Sequence, residues 1–143
     1  MKHKQSVSQT YIERDRKVLP ELVRQAKRKA TYPTSGNKLF QIAAELPTDK
    51  FYIGDDAACD YIRKRFIRKI HPVFVSPYKQ RLYDALYDEV VKMMKMEKYK
   101  NMGLKDITLL ALGHQAPCVG LTPYIIRVRI WRLHKHINHK NHE

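Results

Sequence analysis

A chain of 143 residues with 43% hydrophobic and 29% charged residues suffices for one domain around a single core, and is too apolar for a disordered tail. Its 28 lysines and arginines against 14 aspartates and glutamates leave a formal net charge of +14, a self-repulsion that points to an anionic partner. No uncharged apolar stretch reaches bilayer-spanning length, no signal-peptide core follows the basic start, and Cys59 and Cys118 lack zinc-ligand spacing. The expectation is a cytoplasmic protein with two buried, reduced cysteines and neither cofactor nor metal.

Five glycines are few, and several of the seven prolines stand where helices should start or stop, which predicts an all-α domain. Ser8 to Ala30 reads as helical, with Leu19, Leu22, Val23 and Ala26 as its apolar stripe; Pro20 either starts a second segment or kinks the first. Lys27, Arg28 and Lys29 end this basic amino-terminal helical arm, residues 1–33. A loop at Tyr32–Gly36, with Thr34 or Ser35 as cap, leads into a helix through Leu46, whose Leu39, Ile42, Ala43 and Leu46 should face a core. Pro47–Gly54 is a connector with a hydrophobic plug.

Asp55 and Asp56 suit the positive end of a helix that should run to Ile70. Ala58, Ile62, Phe66 and Ile70 line one side of it, and Arg63, Lys64, Arg65, Arg68 and Lys69 form a cationic surface on the other. Ser76-Pro77 carries the strongest start signal, cap followed by proline, for a helix to Lys98. Leu82, Leu86, Val90 and Met93 on one face, widened by Tyr83, Tyr87 and Met94, make it the central strut. Asp84, Asp88 and Lys92 read as an ordinary solvated face. Met102-Gly103 breaks the pattern, a short apolar helix spans Leu104–Leu112, and Thr122-Pro123 opens the last one. Residues 34–137 form the helical core of about six helices, and 138–143 a flexible histidine-rich tail.

One grammar occurs three times: a hydrophobic plug, a capping residue, then a helix, at Phe51–Asp55, Phe74–Tyr78 and Val119–Tyr124. The plug should pack beneath the helix that it precedes. The first and third copies also follow a short helix, making two helix–connector–helix units, the raw material of helix-turn-helix modules.

The segment Asp106–Arg127 resembles small basic proteins of Bacteroides-type bacteria, their phages and mobile elements, over roughly residues 82–137. Ala116-Pro117, Leu121 and Thr122 fit that pattern, whereas Cys118, Val119 and Gly120 replace its basic and aromatic positions. The resemblance implies a helix-turn-helix-like fold and no particular activity.

From Ile107 to His142 there is no acidic residue. On a helical wheel of the last helix, Ile126, Ile130, Leu133 and Ile137 gather on a face expected to dock on the Leu104–Leu112 helix and the strut. Arg127, Arg129, Arg132 and Lys135 occupy the other side with Tyr124, Ile125 and Trp131. One reading makes this a recognition helix, with arginines on guanine edges or phosphates. The other makes it a solvated basic face with Trp131 folded back into the core, and as between core and base-stacking platforms Tyr124 and Trp131 are expected in the core. His134, His136, His139 and His142 read as a polar tail, and His71 and His114 as local hydrogen-bonders. No phosphate loop, Walker signature, HExxH motif or nucleophile elbow is present, and no activation apparatus surrounds a tyrosine. The expectation is therefore a non-enzymatic protein that binds nucleic acid, DNA rather than RNA, through Arg127, Arg129, Arg132, Lys135 and Tyr124. Arg63, Lys64, Arg68, Lys69, Lys27, Arg28 and Lys29 would add phosphate contacts. The rival expectation is a phage assembly or packaging component that meets nucleic acid or an acidic protein, in the virion.

Overall fold

Proline and capping residues set the helix starts. In the computed structural model, which describes residues 9–30 and 36–141 and their side chains up to Lys135, six α-helices and no strand occur among the described residues. They are α1 Leu19–Lys29, α2 Gly36–Glu45, α3 Asp55–Phe66, α4 Pro77–Met94, α5 Leu104–Ala111 and α6 Pro123–Asn141. The all-α expectation holds. Ser76 Oγ accepts from Lys79 N at 3.3 Å to open α4, and Thr122 Oγ1 accepts from Ile125 N at 3.2 Å to open α6. The caps expected at Thr34 or Ser35 lie outside the described residues.

Pro20 has a specific consequence. Residues 9–13 are helical and reach α1 through a π-helical turn, Arg14–Val18. The Leu19 N–H closes on the Arg14 carbonyl, one residue beyond the α-helical spacing, just before a proline that has no N–H to donate. The chain thus continues as one widened helix. It is no detached arm, because Leu19, Leu22 and Ala26 are buried.

Two helices stop sooner than expected. α3 ends at Phe66, where Lys69 adopts a left-handed φ of 57° and the Ile70 N–H reaches back to the Lys64 carbonyl at 2.9 Å. Ile70, expected in the core, is exposed, and Arg68 and Lys69 lie beyond the helix. α4 ends at Met94, and a 3-10 turn, Glu97–Tyr99, follows.

The helices enclose two hydrophobic clusters. Ile62, Leu86, Val90, Met93, Ile107 and Ala111 join α3, α4 and α5, with α4 as the strut. Leu19, Leu22, Ala43, Leu46, Ile126 and Ile130 join α1, α2 and α6. Full burial of each large aliphatic side chain stabilises by about 1.5–3 kcal/mol. α6 therefore docks on α1 and α2, not on the strut and α5. Periodicity correctly marks the apolar face of α6, but it carries no information about which neighbour covers that face.

The two helix–connector–helix units interlock. Thr48 and Ala116, one in each connector, exchange backbone hydrogen bonds of 3.0 Å each way, and Phe51 N donates to the Leu112 carbonyl at 2.9 Å. α2, before the first connector, packs on α6, after the second; α3, after the first, packs on α5, before the second. Both connectors exceed the usual turn of about 3–4 residues in a helix-turn-helix. The plugs form the seam between the clusters: Phe51, Ile53 and Cys118 enter the first and Val119 the second. In the middle copy Phe74 packs against Tyr61 and Tyr83, with ring centres 6.0 and 4.7 Å away, while Val75 is fully exposed.

Candidate nucleic-acid interface

Since Ile126 and Ile130 turn α6 toward α1 and α2, the opposite face is set by helical geometry. Tyr124, Arg127, Trp131 and Lys135 follow at offsets that place them on one stripe, and all four are exposed. Tyr124 and Trp131 are 64% and 58% exposed, which corrects the expectation that they enter the core. Each carries a cation: Arg127 Cζ lies 5.6 Å from the Tyr124 ring centre, and Lys135 Nζ 4.9 Å from that of Trp131. Such stacking stabilises an exposed pair by about 0.5–1 kcal/mol and holds the charge at the surface.

The cations of α6 divide into two kinds. Arg127, Arg132 and Lys135 have no carboxylate partner among the described residues; Arg127 donates to Asn37 Oδ1 at 3.2 Å. Arg129 instead points back toward the first helix and pairs with Asp15 at 2.6 Å. It is the exception among the four residues expected to face a partner. The amino-terminal cations Lys27, Arg28 and Lys29 are exposed at the end of α1, with Arg28 held by Glu21 at 3.2 Å.

The α3 cations meet carboxylates. Lys64 and Arg63 reach Asp60 at 2.9 and 3.7 Å. The Lys64 hydrogen bond outweighs burial and holds the Asp60 carboxyl below its ordinary range. Arg65 is sequestered: it lies 3.7 Å from the Tyr87 ring centre, donates to the Tyr61 hydroxyl at 2.8 Å and reaches Asp84 at 3.3 Å. Arg68 and Lys69 are exposed beyond the helix. The continuous cationic face expected over Arg63–Lys69 is thus broken by ion pairing and by the early end of α3.

Asp84 is far from an ordinary solvated residue. It accepts from Tyr61, from Gln80 at 3.1 Å and from His71 at 3.0 Å, besides Arg65. Burial raises its pKa, but the bonds from Tyr61, His71 and Gln80 prevail and keep it below the ordinary carboxylate value. The Tyr61 hydroxyl moves the other way, pushed up to about 12 by burial and by its bond to Asp84. Gln80 also accepts from Phe74 N at 2.7 Å and donates to the Pro72 carbonyl at 3.1 Å, which ties the 67–76 connector to α4. His71 and His114 hydrogen-bond across the chain rather than locally, His114 to Glu89 at 2.6 Å. No periodicity announces partners this distant in sequence.

The π-helical turn contains functional candidates that sequence reasoning missed. Arg14 is nearly buried, donates through Nε to Asp15 Oδ1 at 3.0 Å and lies 4.7 Å from the Tyr11 ring centre. Arg16, Asp15, Arg129, Arg132 and Leu133 border a groove of about 440 Å³ beside α6. A signal existed in the Arg14-Asp-Arg16 triplet before Pro20, yet an α-helical reading assigns those residues to the wrong faces. Among the described residues, no group of histidines, cysteines and acids gathers that could hold a metal, and no helix is long and apolar enough to cross a membrane. The side chains of His136, His139 and His142 lie outside the described set. Cys118 is buried and Cys59 only partly so; burial raises both thiol pKa values.

Compared with protein-family models, with curated proteins and with solved structures, the chain matches none.

Proposed function

We propose that this chain is a non-enzymatic nucleic-acid-binding protein that engages duplex DNA through α6, as a regulator or accessory factor of a phage or mobile element. The observation that carries the reading is the exposed Tyr124–Arg127–Trp131–Lys135 stripe, with Arg132 beside it, on a helix without a carboxylate. Water is a poor place for a large aromatic side chain, and a repeated aromatic–cation pair matches a partner with anionic backbone and flat bases. In this reading Lys135 and Arg132 neutralise phosphates, and Arg127, nearer the amino-terminal end of α6, addresses a base edge. Affinity comes from counterion release, and any sequence preference from few side chains.

Fluorescence anisotropy of a labelled duplex, with wild type and with R127A/R132A/K135A, tests this. Wild type should bind with strong salt dependence, and the variant should lose about 100-fold in affinity at about 0.1 M salt. Equal binding by the two proteins would remove α6 as the interface.

The assembly reading is favoured by a different feature. Ile67, Ile70, Val73 and Val75 are exposed in succession between α3 and α4, flanked by Arg68, Lys69 and His71. A protein partner with apolar and acidic groups fits this segment. Stable association with such a partner, unaffected by the α6 substitutions, would favour it.

A further inference from the structure

A second site, separate from the Tyr124–Lys135 stripe, lies where the π-helical turn, the start of α4, the second connector and Arg129 of α6 meet. A cleft of about 350 Å³ opens there, bordered by Tyr11, Arg14, Lys79, Tyr83, Gly120 and Arg129. That volume lies at the small end of ligand pockets, which run from about 300 to 1,000 Å³. Leu82 and Val119 give it an apolar floor. Gly120 keeps one wall bare: its φ is +83°, and a Cβ there would come within 2.5 Å of Leu82 Cδ2.

Two of its cations are held in place before any ligand arrives. Arg14 and Arg129 grip opposite oxygens of Asp15, at 3.0 and 2.6 Å. Lys79 is a third cation on the lining, and Asp15 is the carboxylate that the two arginines share. The Arg14 side chain is 10% exposed, so one of these charges is held where solvation is poor. Tyr83 is also buried, at 8% exposure, and its hydroxyl has no hydrogen-bond partner among the described residues. Tyr83 borders the cleft. By contrast, the Tyr11 hydroxyl already accepts from Gly54 N at 3.1 Å, and its ring stacks on Arg14. Lys79 Nζ lies 5.7 Å from the Tyr83 ring centre.

We infer that this cleft is a binding site for a phosphate that carries a planar ring, the chemistry of a nucleoside phosphate. Arg14, Arg129 and Lys79 bind the anion, the Tyr83 hydroxyl donates a further hydrogen bond, and the tyrosine rings and Leu82 cover the flat group. The same chemistry is offered by a free nucleotide and by a nucleotide of a nucleic-acid strand.

Isothermal titration calorimetry on the full chain separates these sources with thymidine monophosphate, thymidine and a 5′-phosphorylated oligothymidylate. Lys79→Ala and Tyr83→Phe remove one polar group each at the cleft, and thermal melts establish that both variants are folded. The nucleotide should bind saturably and thymidine at least about 10-fold more weakly, with each variant losing about 3- to 10-fold. R127A/W131A, which alters only α6, should bind the nucleotide as wild type does. Saturation by the oligonucleotide alone, with the same dependence on Lys79 and Tyr83, supports the site and assigns the strand as its ligand. No saturation by either phosphate-bearing ligand up to about 10 mM overturns the proposal. So does binding that both cleft variants leave unchanged, or that R127A/W131A abolishes.

Discussion

α3 and α6 each carry a dense run of cations, yet the fold treats them differently. On α3, Asp60 takes Arg63 and Lys64, while Asp84 and the Tyr61 and Tyr87 rings take Arg65. On α6, only Arg129 meets a carboxylate among the described residues, and Arg127 and Lys135 rest on exposed aromatic rings. A basic run therefore says little until its counter-charges are located. On α3 they tie the run into the fold. On α6 the charge stays available, and in the proposed reading an external anion complements it.

The largest expected effect breaks the comparison from the α3 side. Asp84→Ala should lower stability by about 2 kcal/mol, because it strips several hydrogen bonds from a part-buried network and leaves Arg65 unpaired, with partial solvent access moderating the loss. Chemical denaturation measures this, and a change below about 0.5 kcal/mol would show the network to be ornamental.

The same carboxylate supplies a pH signature. Asp84 has a folded pKa below its ordinary value of 3.8, so its contribution is complete above that value and is lost as pH falls through the folded one. The stability gap between wild type and Asp84→Ala should persist from neutral pH to about 5 and close only in strong acid. A gap that closes already near pH 6 would place its origin elsewhere.

Lys69→Gly is a smaller test that separates charge from backbone. Lys69 sits at φ 57°, which costs an L-residue about 1 kcal/mol and glycine almost nothing. The variant loses a cation and should nonetheless gain up to about 1 kcal/mol in stability, read as a rise in Tm, with DNA affinity changed less than about threefold. Smaller still, R63A/K64A should shift stability by no more than about 0.5 kcal/mol, since exposed pairs contribute little. A loss of DNA binding in that double variant comparable to that of R127A/R132A/K135A would erase the distinction between the two helices.

Much of the helical frame is legible in the sequence, because prolines, caps and periodicity act over a few residues. Ser76-Pro77 and Thr122-Pro123 open helices as their chemistry dictates, and Leu82, Leu86, Val90 and Met93 bury together. Features that depend on distant partners are not legible. The apolar stripe of α6 does not say that α1 and α2 cover it, and Arg129 gives no sign of an aspartate more than a hundred positions earlier. The π-helical turn at Arg14–Val18 rotates Arg14 and Asp15 away from their α-helical positions, so a helical wheel cannot assemble the cleft beside Tyr83. Tyr124 and Trp131 were misassigned for the opposite reason. Hydrophobicity predicts burial for an aromatic ring, whereas both rings are exposed.

The most direct measurement is the salt dependence of binding to one duplex by wild type, R127A/R132A/K135A and R63A/K64A. Each phosphate contact contributes about 0.9 to the slope of log affinity against log salt. The α6 variant should reduce the slope magnitude by about 2, and the α3 variant by less than about 1. Equal reductions in the two variants, or an unchanged slope in the α6 variant, would contradict the account.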